Sequence, residues 1–512
     1  MPYTGVPEHF NMTTYLIDEC NLAKGRKDKV ALYYYNKGQA YTYQEVSDQV
    51  NKYANYLLDC NISKGQRIGF LLHDCPEFIF LFLAAIKVGI VPAIINTKMS
   101  NENIESVINN TDLKIVFTDE AKINNLSEET KERAKLIDDA IEQAKDMDIT
   151  CEAYDSLRDD IAFILFTSGS SGLPKGVMHY QSSIVSCIEG YGNSILCAKE
   201  DDVIYSHSKL CFAFGLGPGL YYPMAFGATT IVNDDDNVYD IYDIIQKYHV
   251  TKFYAVPSIY NTLLMLAEDG KDYMAGCKLC MASGEYLPKR IETSWKERFG
   301  LPIYQGIGST EMLHSYIHNS DEHHKLGSLG YIVPNFAYKI VDEEGNEVKA
   351  NEVGTLLISG GSMMAGYFGQ EEKTKSLIKD GYFNTGDRCS FDEEGFIWYS
   401  GRGNDAFKLN GEWKSAEEIE EIVLLNENVV EVIIQCESKD NEPSVITAYI
   451  VAKEGADYED IAHSVKRVFF MKRKRNLCPT VYNFVEAIPR GTTGKAKRGS
   501  MNLAKVIKTV EC

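Results

Sequence analysis

A run of glycines and small hydroxyl residues, TSGSSGLPKG at positions 167–176, carries the clearest chemical signal in the sequence. Backbone N–H groups in such a run can approach phosphate oxygens closely, and Lys175 adds a positive charge, so the run suits a nucleoside triphosphate. It is not a Walker A motif, because Gly169 is not followed five residues later by Gly-Lys-Ser/Thr. We call this run the phosphate loop. Its predicted phosphate-binding residues are Thr167, Ser168, Gly169, Ser170, Ser171, Gly172 and Lys175.

Alternating helix and strand patterns surround the phosphate loop. Thr42 and Glu45 form a capping box ahead of an amphipathic helix. Residues 67–72 and 90–95 have strand-like patterns, and Pro76 and Gly89 mark the two ends of a helix between them. This βαβ unit predicts a parallel sheet with helices on its faces. Further predicted elements are a helix near 103–110 and strands near 114–118, 161–166, 228–232, 252–256 and 277–282.

Two changes of pattern divide the chain. From residue 327 to 358 the predicted elements become shorter and more β-rich, which indicates a barrel-like subdomain. At 401–405 glycines alternate with polar and charged residues, as in a linker between domains. The sequence therefore predicts an α/β protein. A large N-terminal domain of layered βαβ sheets, residues 1–402, contains the β-barrel-like subdomain, and a small mobile α+β domain, residues 403–512, follows it.

The composition argues against several classes of protein. The 52 Lys and Arg residues are outnumbered by 73 Asp and Glu, and a formal net charge of −21 repels nucleic acid and anionic lipid. The longest apolar stretch, 78–95, is interrupted by Lys87, Gly89 and Pro92, so we expect no membrane span. The 13 cysteines and an N-terminus without a signal-peptide pattern favour the cytoplasm. Cys277 and Cys280 have CxxC spacing but lack a second such pair, so a zinc or redox site is not predicted.

The phosphate loop resembles that of the adenylate-forming superfamily, which includes acyl- and aryl-CoA ligases, peptide-synthetase adenylation domains and beetle luciferases. Further segments resemble the other motifs of this superfamily in the expected order: SGE at 283–285, GIGSTE at 306–311, YFNTGD at 382–387, GR at 401–402 and PRGTTGK at 489–495. Two segments, 208–217 and 306–314, are similar to those of benzoate-CoA ligases and related aryl-acid ligases.

The resemblance implies that the protein uses ATP, Mg²⁺ and CoA. Glu311 would hold Mg²⁺ through a hard carboxylate oxygen, and the hydroxyls of Thr167 and Thr310 would contact phosphates. Asp387 would accept hydrogen bonds from the ribose hydroxyls. Lys495 would act as the catalytic lysine that bridges the substrate carboxylate and the α-phosphate, with Glu311 and Thr167 as the other catalytic residues. The remaining implied nucleotide-binding residues are Ser283, Gly284, Glu285, Gly306, Ile307 and Arg402.

The same resemblance implies an acyl pocket of aromatic size. Small residues would admit a flat ring, and Phe214 would stack against it. Relatives often carry a bulky aliphatic residue where Ser315 stands. With His314 beside it, Ser315 either accepts a polar ring substituent such as a 4-hydroxyl group or merely leaves space. The implied pocket residues are Ala213, Phe214, Gly308, His314 and Ser315.

The implied reaction is the ATP-dependent activation of an aromatic acid of the benzoate or hydroxybenzoate type, followed by transfer to CoA. A stand-alone adenylation enzyme that loads a carrier-protein phosphopantetheine is the alternative. Luciferase-like oxygenation is disfavoured, because the C-terminal residues Val510-Glu511-Cys512 differ from the Ser-Lys-Leu signal common in that branch. At the predicted hinge, Asn404 stands where many relatives have Asp or Lys. A monomer or a homodimer is expected.

Overall fold

Two large sheets and their covering helices form most of the chain before residue 403. The computed structural model describes residues 3–168, 173–403, 406–409, 412–437, 445–491, 496 and 498–511. The first sheet has seven strands. In spatial order they are Gly366–Tyr367, Pro174–Tyr180, Ile161–Ser168, Val91–Ile94, Arg67–Leu71, Leu113–Thr118 and Ala134–Leu136.

The first sheet begins with the βαβ unit that the sequence predicts. Thr42 Oγ1 accepts a hydrogen bond from Glu45 N at 3.2 Å, and the Glu45 carboxylate accepts one from Thr42 N at 2.7 Å. This capping box starts the helix Tyr43–Asp59. The next helix, Pro76–Lys87, has proline in its first turn and ends just before Gly89, where φ is +77°. The strands on either side of that helix pair in parallel, as predicted.

The first sheet is not parallel throughout. Ile161–Ser168 and Pro174–Tyr180 pair in antiparallel fashion, with Thr167 opposite Lys175. The phosphate loop therefore connects two antiparallel strands, whereas the sequence predicted only the strand that precedes it. A parallel pairing would have required a crossover of a dozen or more residues, for which this connection is too short. The hairpin brings the first residue of the loop and its lysine side by side.

The second sheet has nine strands and is parallel in its centre. In spatial order they are Tyr331–Ile332, Ser315–His318, Ile303–Gly308, Leu279–Ala282, Lys252–Ala255, Val203–Ser206, Thr229–Val232, Val30–Tyr34 and Gln39–Thr42. The strand Ser315–His318 turns back beside Ile303–Gly308 in antiparallel register. Longer helices in this N-terminal part include Asn101–Asn110, Ile137–Ala144, Ile241–Lys247, Pro257–Leu266 and Lys289–Phe299.

A third, antiparallel sheet follows in the part of the chain predicted to be β-rich. Its strands are Phe336–Val341, Gly354–Gly360, Tyr382–Phe391, Ile378–Lys379 and Ile397–Arg402. The last of these pairs with Tyr382–Phe391, so the predicted ribose-binding segment and the predicted hinge arginine lie on neighbouring strands. The helix Glu371–Leu377 lies between the strands Gly366–Tyr367 and Ile378–Lys379.

The C-terminal part, residues 406–511, has a sheet and a hydrophobic cluster of its own. A two-stranded ribbon, Ala406–Leu409 with Glu412–Ser415, precedes the four strands Val429–Glu437, Val445–Ala452, Val481–Val485 and Val506–Glu511. Ser415 caps the helix Ala416–Val423, and the second long helix is Tyr458–Met471. Buried side chains of the two helices and of the first three strands of this sheet form the cluster.

Three further features concern the described ranges of the chain: membrane-spanning helices, cysteine pairing and metal-ligand clusters. None of the helices there has the length and apolarity that crossing a bilayer requires. All twelve cysteines in those ranges are free thiols, and Cys277 Sγ lies 4.0 Å from Cys280 Sγ. The same ranges contain no cluster of three or more His, Cys, Asp or Glu side chains arranged to hold a metal ion.

Direct hydrogen bonds join the C-terminal part to the helix Lys289–Phe299 and the segment before it. Glu421 Oε1 accepts hydrogen bonds from the Tyr286 hydroxyl at 2.9 Å and from the Lys289 backbone N–H at 2.8 Å. The Arg290 guanidinium donates to three backbone carbonyl oxygens, those of Leu424 at 3.4 Å, Val429 at 2.8 Å and Val430 at 3.2 Å. Arg290 is thus the main single anchor of the C-terminal part in this arrangement.

We predict that Arg290→Ala loosens the C-terminal part without unfolding either part. Losing hydrogen bonds from a charged donor costs about 2 kcal/mol, which corresponds to a shift of roughly thirtyfold toward released conformations. Small-angle X-ray scattering should show a larger radius of gyration. Arg298→Ala is the matched control, since Arg298 lies on the same helix but donates to the Glu268 and Lys271 carbonyls of the N-terminal part. Expansion in the control but not in Arg290→Ala would contradict the assignment.

Candidate active site

Asp387 and Arg402 lie side by side because their strands pair in register. Arg402 Nε is 3.4 Å from Asp387 Oδ1, and Arg402 Nη2 donates to the Thr385 carbonyl at 2.9 Å. The Asp387 backbone N–H donates to Thr385 Oγ1 at 3.0 Å. The Asp387 carboxylate raises the pKa of Arg402, so the arginine stays charged. The sheet thus presents a buried carboxylate acceptor beside a fixed cation.

Glu311 is held by a residue that the sequence analysis did not single out. The Tyr367 hydroxyl donates to Glu311 Oε1 at 2.7 Å, and the Met364 backbone N–H donates to the Glu311 carbonyl at 2.8 Å. Burial, followed by the nearby Glu311 charge, raises the pKa of Tyr367, which keeps this hydroxyl protonated as a donor. No residue type or spacing in the sequence marked Tyr367, because its contact joins positions 56 residues apart.

Lys175 lies on the other side of Tyr367. Its ammonium nitrogen is 5.3 Å from the centre of the Tyr367 ring. The pKa of Lys175 is lowered to about 8, mainly by burial and also by the neighbouring Lys373 and Arg402 charges, whereas Glu311 opposes the shift. Lys175, Glu311, Arg402 and Tyr367 therefore belong to one electrostatic neighbourhood. The structure brings together the cation of the phosphate loop, the predicted metal ligand and the predicted ribose-binding strand pair.

The segments 283–285 and 303–308 lie on adjacent parallel strands and the loops that follow them. The Ser283 hydroxyl donates to the Gly306 carbonyl at 2.9 Å, which joins the predicted nucleotide-binding segment 283–285 to the segment 306–311. Glu285 is already engaged, because Oε2 accepts from the Ser258 N–H at 3.1 Å and Oε1 lies 3.7 Å from an Arg490 nitrogen. A Cβ atom at Gly306 would lie 2.1 Å from His318 Cδ2, so only glycine fits there.

A tight turn connects the Glu311 neighbourhood to the predicted acyl pocket. The strand Ile303–Gly308 contains Ile307, and it leads into a short 3-10 helix, Thr310–Met312. Leu313 has a φ of +65°, which is uncommon for leucine, and it reverses the chain so that Ser315 lies opposite Gly308. A Cβ atom on Gly308 would be 2.6 Å from the His314 carbonyl oxygen. The turn therefore holds Glu311 and His314, which are three residues apart in sequence, in fixed positions relative to each other.

The His314 ring lies among aromatic side chains, as an aryl pocket requires. Its centre is 6.0 Å from the Phe214 ring, 4.5 Å from the Tyr191 ring and 5.0 Å from the Tyr222 ring. Ala213 precedes Phe214 at the start of a short helix and is buried. The sequence predicted Ala213, Phe214 and His314 but missed both tyrosines, which lie on segments that no motif marks.

Two buried polar side chains at this aromatic cluster have no hydrogen-bond partner among the described residues. Neither ring nitrogen of His314 is paired there, and the same is true of Ser315 Oγ. Buried polar atoms are normally paired, and an unpaired one costs about 1–3 kcal/mol. Burial lowers the pKa of His314 to about 3, so the imidazole is neutral at pH 7 and offers one donor and one acceptor. These groups can pair with a polar substituent on a bound ring.

Some predicted site residues lie outside the described residues. These are Gly169, Ser170, Ser171, Gly172, Asn404 and Lys495. Of Ser168, only the backbone is described, at the end of the strand Ile161–Ser168. The segment that contains Lys495 is bracketed by an antiparallel bridge between Arg490 and Ala496. Since Arg490 lies 3.7 Å from Glu285, the base of this segment adjoins the predicted adenine segment.

The donor set fits a Mg²⁺ ion bound together with a nucleotide. Mg²⁺ is usually bound through one or two carboxylates, waters and substrate phosphates rather than through an all-protein cage. Glu311 is a carboxylate of this kind with one oxygen held by Tyr367, and the described residues offer no larger cluster of metal ligands. Bound there, the ion would neutralise phosphate charge.

The comparisons with known proteins agree with this geometry. The family model described as AMP-binding enzyme matches residues 21–368. The chain belongs to this family. A benzoate-CoA ligase of Thauera aromatica is 30% identical over 521 residues, with 98% of each chain covered. A 4-hydroxybenzoate-CoA/benzoate-CoA ligase of Rhodopseudomonas palustris is 29% identical over 509 residues, covering 96% of this chain and 93% of that one.

A solved structure extends the likeness to the whole fold. The crystal structure of an anthranilate CoA ligase in complex with anthranoyl-AMP matches with a TM-score of 0.91 and 26% identity, over 99% of both chains. The predicted superfamily, its benzoate-CoA ligase branch and the predicted fold class are confirmed.

We predict that the protein loses stability between pH 7.5 and 5.5 because of its buried histidines. Burial lowers the pKa of His179 and His314 to about 3 and of His207 and His318 to about 4, from an ordinary value of 6.5. Below pH 6.5 the unfolded chain binds protons that the folded chain does not. The stabilisation is therefore present above that pH and is lost as the pH falls, by about 1.4 kcal/mol per histidine at pH 5.5.

Urea unfolding at the two pH values measures this loss. His179→Phe should reduce the difference in unfolding free energy between the two pH values by about 1.4 kcal/mol. The exposed His463, changed to Phe in the same way, should leave that difference unchanged. Equal effects of the two substitutions would refute the burial argument.

Proposed function

We propose that the protein joins an aromatic carboxylic acid to CoA at the expense of ATP, in two steps. In the first, a carboxylate oxygen attacks the α-phosphorus of ATP, and the bond to the bridging oxygen breaks with release of pyrophosphate. In the second, the CoA thiol attacks the acyl carbon of the adenylate, and AMP leaves. Similar proteins from Thauera aromatica and Rhodopseudomonas palustris are named as ligases of this kind.

One observation carries the proposal: a single segment, residues 306–315, reaches both halves of the site. Glu311 contacts Tyr367 beside Lys175, and three residues later His314 and Ser315 occupy an aromatic pocket. Attack on an α-phosphate requires the acid and the triphosphate to be bound next to each other in fixed orientation. Two adjoining subsites, one cationic and one aromatic, supply that arrangement.

The residue roles in the first step are those that the family resemblance implies, and the chemistry of the side chains supports them. Glu311 would hold Mg²⁺, and Thr167, Thr310 and Lys175 would contact phosphates. Asp387 would accept hydrogen bonds from the ribose hydroxyls, and Arg402 lies beside it. The other nucleotide contacts come from the phosphate loop and from the segments 283–285 and 306–307. Charge neutralisation by these groups stabilises the transition state as pyrophosphate departs.

We further propose that residues 1–402 and 403–512 act as two domains. The separate hydrophobic cluster of the C-terminal part supports this division. In the observed arrangement an Arg490 nitrogen lies 3.7 Å from Glu285 Oε1, which supports a first step in which Lys495 acts at the proposed nucleotide site. The second step then needs a rotation near Asn404. The free cysteines and the acidic composition favour a cytoplasmic enzyme with neither nucleic acid nor membrane as a partner.

The proposed acid carries a polar ring substituent, and a panel of acids tests this. We predict an aryl-CoA product and AMP, detected by mass spectrometry, with a hydroxybenzoate or aminobenzoate preferred over benzoate and over short fatty acids. Ser315→Ala should lower kcat/KM for the preferred acid about five- to tenfold, the value of one buried hydrogen bond, and change kcat/KM for benzoate less than about twofold. An equal loss for both acids would show that Ser315 only fills space.

The panel also tests the acceptor. If the aryl-adenylate accumulates and no thioester forms with CoA, the acceptor is instead a phosphopantetheine thiol on a carrier protein. If no acid yields either product, the proposed function is wrong.

We predict that Lys495→Ala separates the two steps. Removing the cation that bridges the carboxylate and the α-phosphate should reduce adenylate formation by about a hundredfold or more, because that charge acts only where two anions meet. Thioester formation from a supplied aryl-adenylate and CoA should stay within about threefold of the unaltered enzyme. The two rates are measured separately, by pyrophosphate release and by thioester absorbance. Comparable losses in both steps would exclude this role.

A further inference from the structure

A second lysine, Lys373, lies next to Lys175 on an element that no motif marks. It belongs to the helix Glu371–Leu377, directly after the strand Gly366–Tyr367. Thr374 Oγ1 fixes this helix, because it accepts a hydrogen bond from the Tyr367 backbone N–H at 2.9 Å. That strand pairs in turn with Pro174–Tyr180, the second strand of the phosphate-loop hairpin. Backbone pairing and one side-chain bond therefore hold Lys373 beside the loop.

Lys175 and Lys373 both lie beside Tyr367: the Lys175 ammonium nitrogen is 5.3 Å from the centre of the Tyr367 ring, and Thr374, the residue after Lys373, accepts a hydrogen bond from the Tyr367 backbone N–H. Within the described ranges neither lysine forms an ion pair, although Glu311 acts on Lys175 at longer range. The pKa of Lys175 is lowered to about 8, mainly by burial, and the adjacent Lys373 ammonium group contributes to that shift. Like charges placed side by side at a partly buried site repel each other unless an anion joins them. The pair is thus arranged for a ligand with several negative charges.

Lys375, two residues further along the same helix, is an ordinary surface lysine and serves as the comparison for Lys373. Its side chain is 72% exposed and pairs with Glu372 at 3.0 Å. Such a surface pair contributes little to stability or binding. Lys373, by contrast, is half-buried and lies close enough to Lys175 to act on its charge, so its position is not that of a solubilising surface charge.

We propose that Lys373 is a phosphate-binding residue. Together with Lys175, it binds the β- and γ-phosphates of ATP and the pyrophosphate that leaves. The inference rests on the proposed function, in which the bond between the α-phosphorus and the bridging oxygen breaks and pyrophosphate carries away the electron pair. Negative charge grows on the β-phosphate as that bond breaks, and two ammonium groups there stabilise it. Asp387 and Arg402 are assigned to the ribose, so the lysine pair serves the other end of the nucleotide.

The test compares Lys373→Gln with the matched control Lys375→Gln in the full chain. Isothermal titration calorimetry measures the binding of inorganic pyrophosphate, ATP and AMP. Lys373→Gln should weaken pyrophosphate and ATP binding about tenfold and leave AMP binding unchanged, because AMP lacks the phosphates in question. Lys375→Gln should bind all three as the unaltered protein does. Lys373→Arg, which keeps the charge, should restore most of the affinity.

Kinetics supply a second, independent readout. Lys373→Gln should raise KM for ATP and slow adenylate formation, and it should spare thioester formation from a supplied aryl-adenylate, a step without pyrophosphate. Unchanged pyrophosphate binding in Lys373→Gln, or an equal loss of AMP binding, would overturn the inference. The calorimetry needs no acid substrate. Weakened pyrophosphate binding would therefore support the phosphate-binding role of Lys373 even if the acid panel yielded no product.

Discussion

One tight turn, from Thr310 to Leu313, joins the two halves of the site, and the rest of the arrangement depends on it. Leu313 adopts a left-handed backbone conformation, and Gly308 has no Cβ to strike the His314 carbonyl, so the returning strand can lie directly beside the outgoing one. Glu311 consequently contacts Tyr367 while the His314 ring lies among aromatic side chains. A backbone reversal of four residues thus couples a polar subsite to an aromatic one.

The polar subsite has to gather positive charge within an acidic chain. With a formal net charge of −21, the protein as a whole repels a nucleoside triphosphate, so binding depends on local cations. Lys175 and Arg402 come from different sheets, yet the Arg402 charge acts on Lys175. Burial of Lys175 strengthens its attraction for a bound anion, and its lowered pKa reflects the cost of burying that charge, with further contributions from Lys373 and Arg402.

Local signals in the sequence predicted much of the fold. The Thr42–Glu45 capping box, Pro76 and Gly89 act through hydrogen bonds and φ angles within a few residues, and the helices they predicted begin and end at those points. The antiparallel hairpin around the phosphate loop was not predicted, because strand pairing depends on contacts between segments. The same reason explains why Tyr367 and the pocket tyrosines were missed.

By itself, the sequence determined which residue types are available for the chemistry: a glycine-rich phosphate loop, a carboxylate at position 311 and a small hydroxyl group at position 315. The order of the motifs along the chain was sufficient to identify the family. Only the tertiary structure decided that Tyr367 holds Glu311, that His314 and Ser315 are buried without hydrogen-bond partners among the described residues, and that Arg290 anchors the C-terminal part. These are contacts between residues distant in sequence, and their energies depend on burial and orientation, which exist only once the sheets have packed.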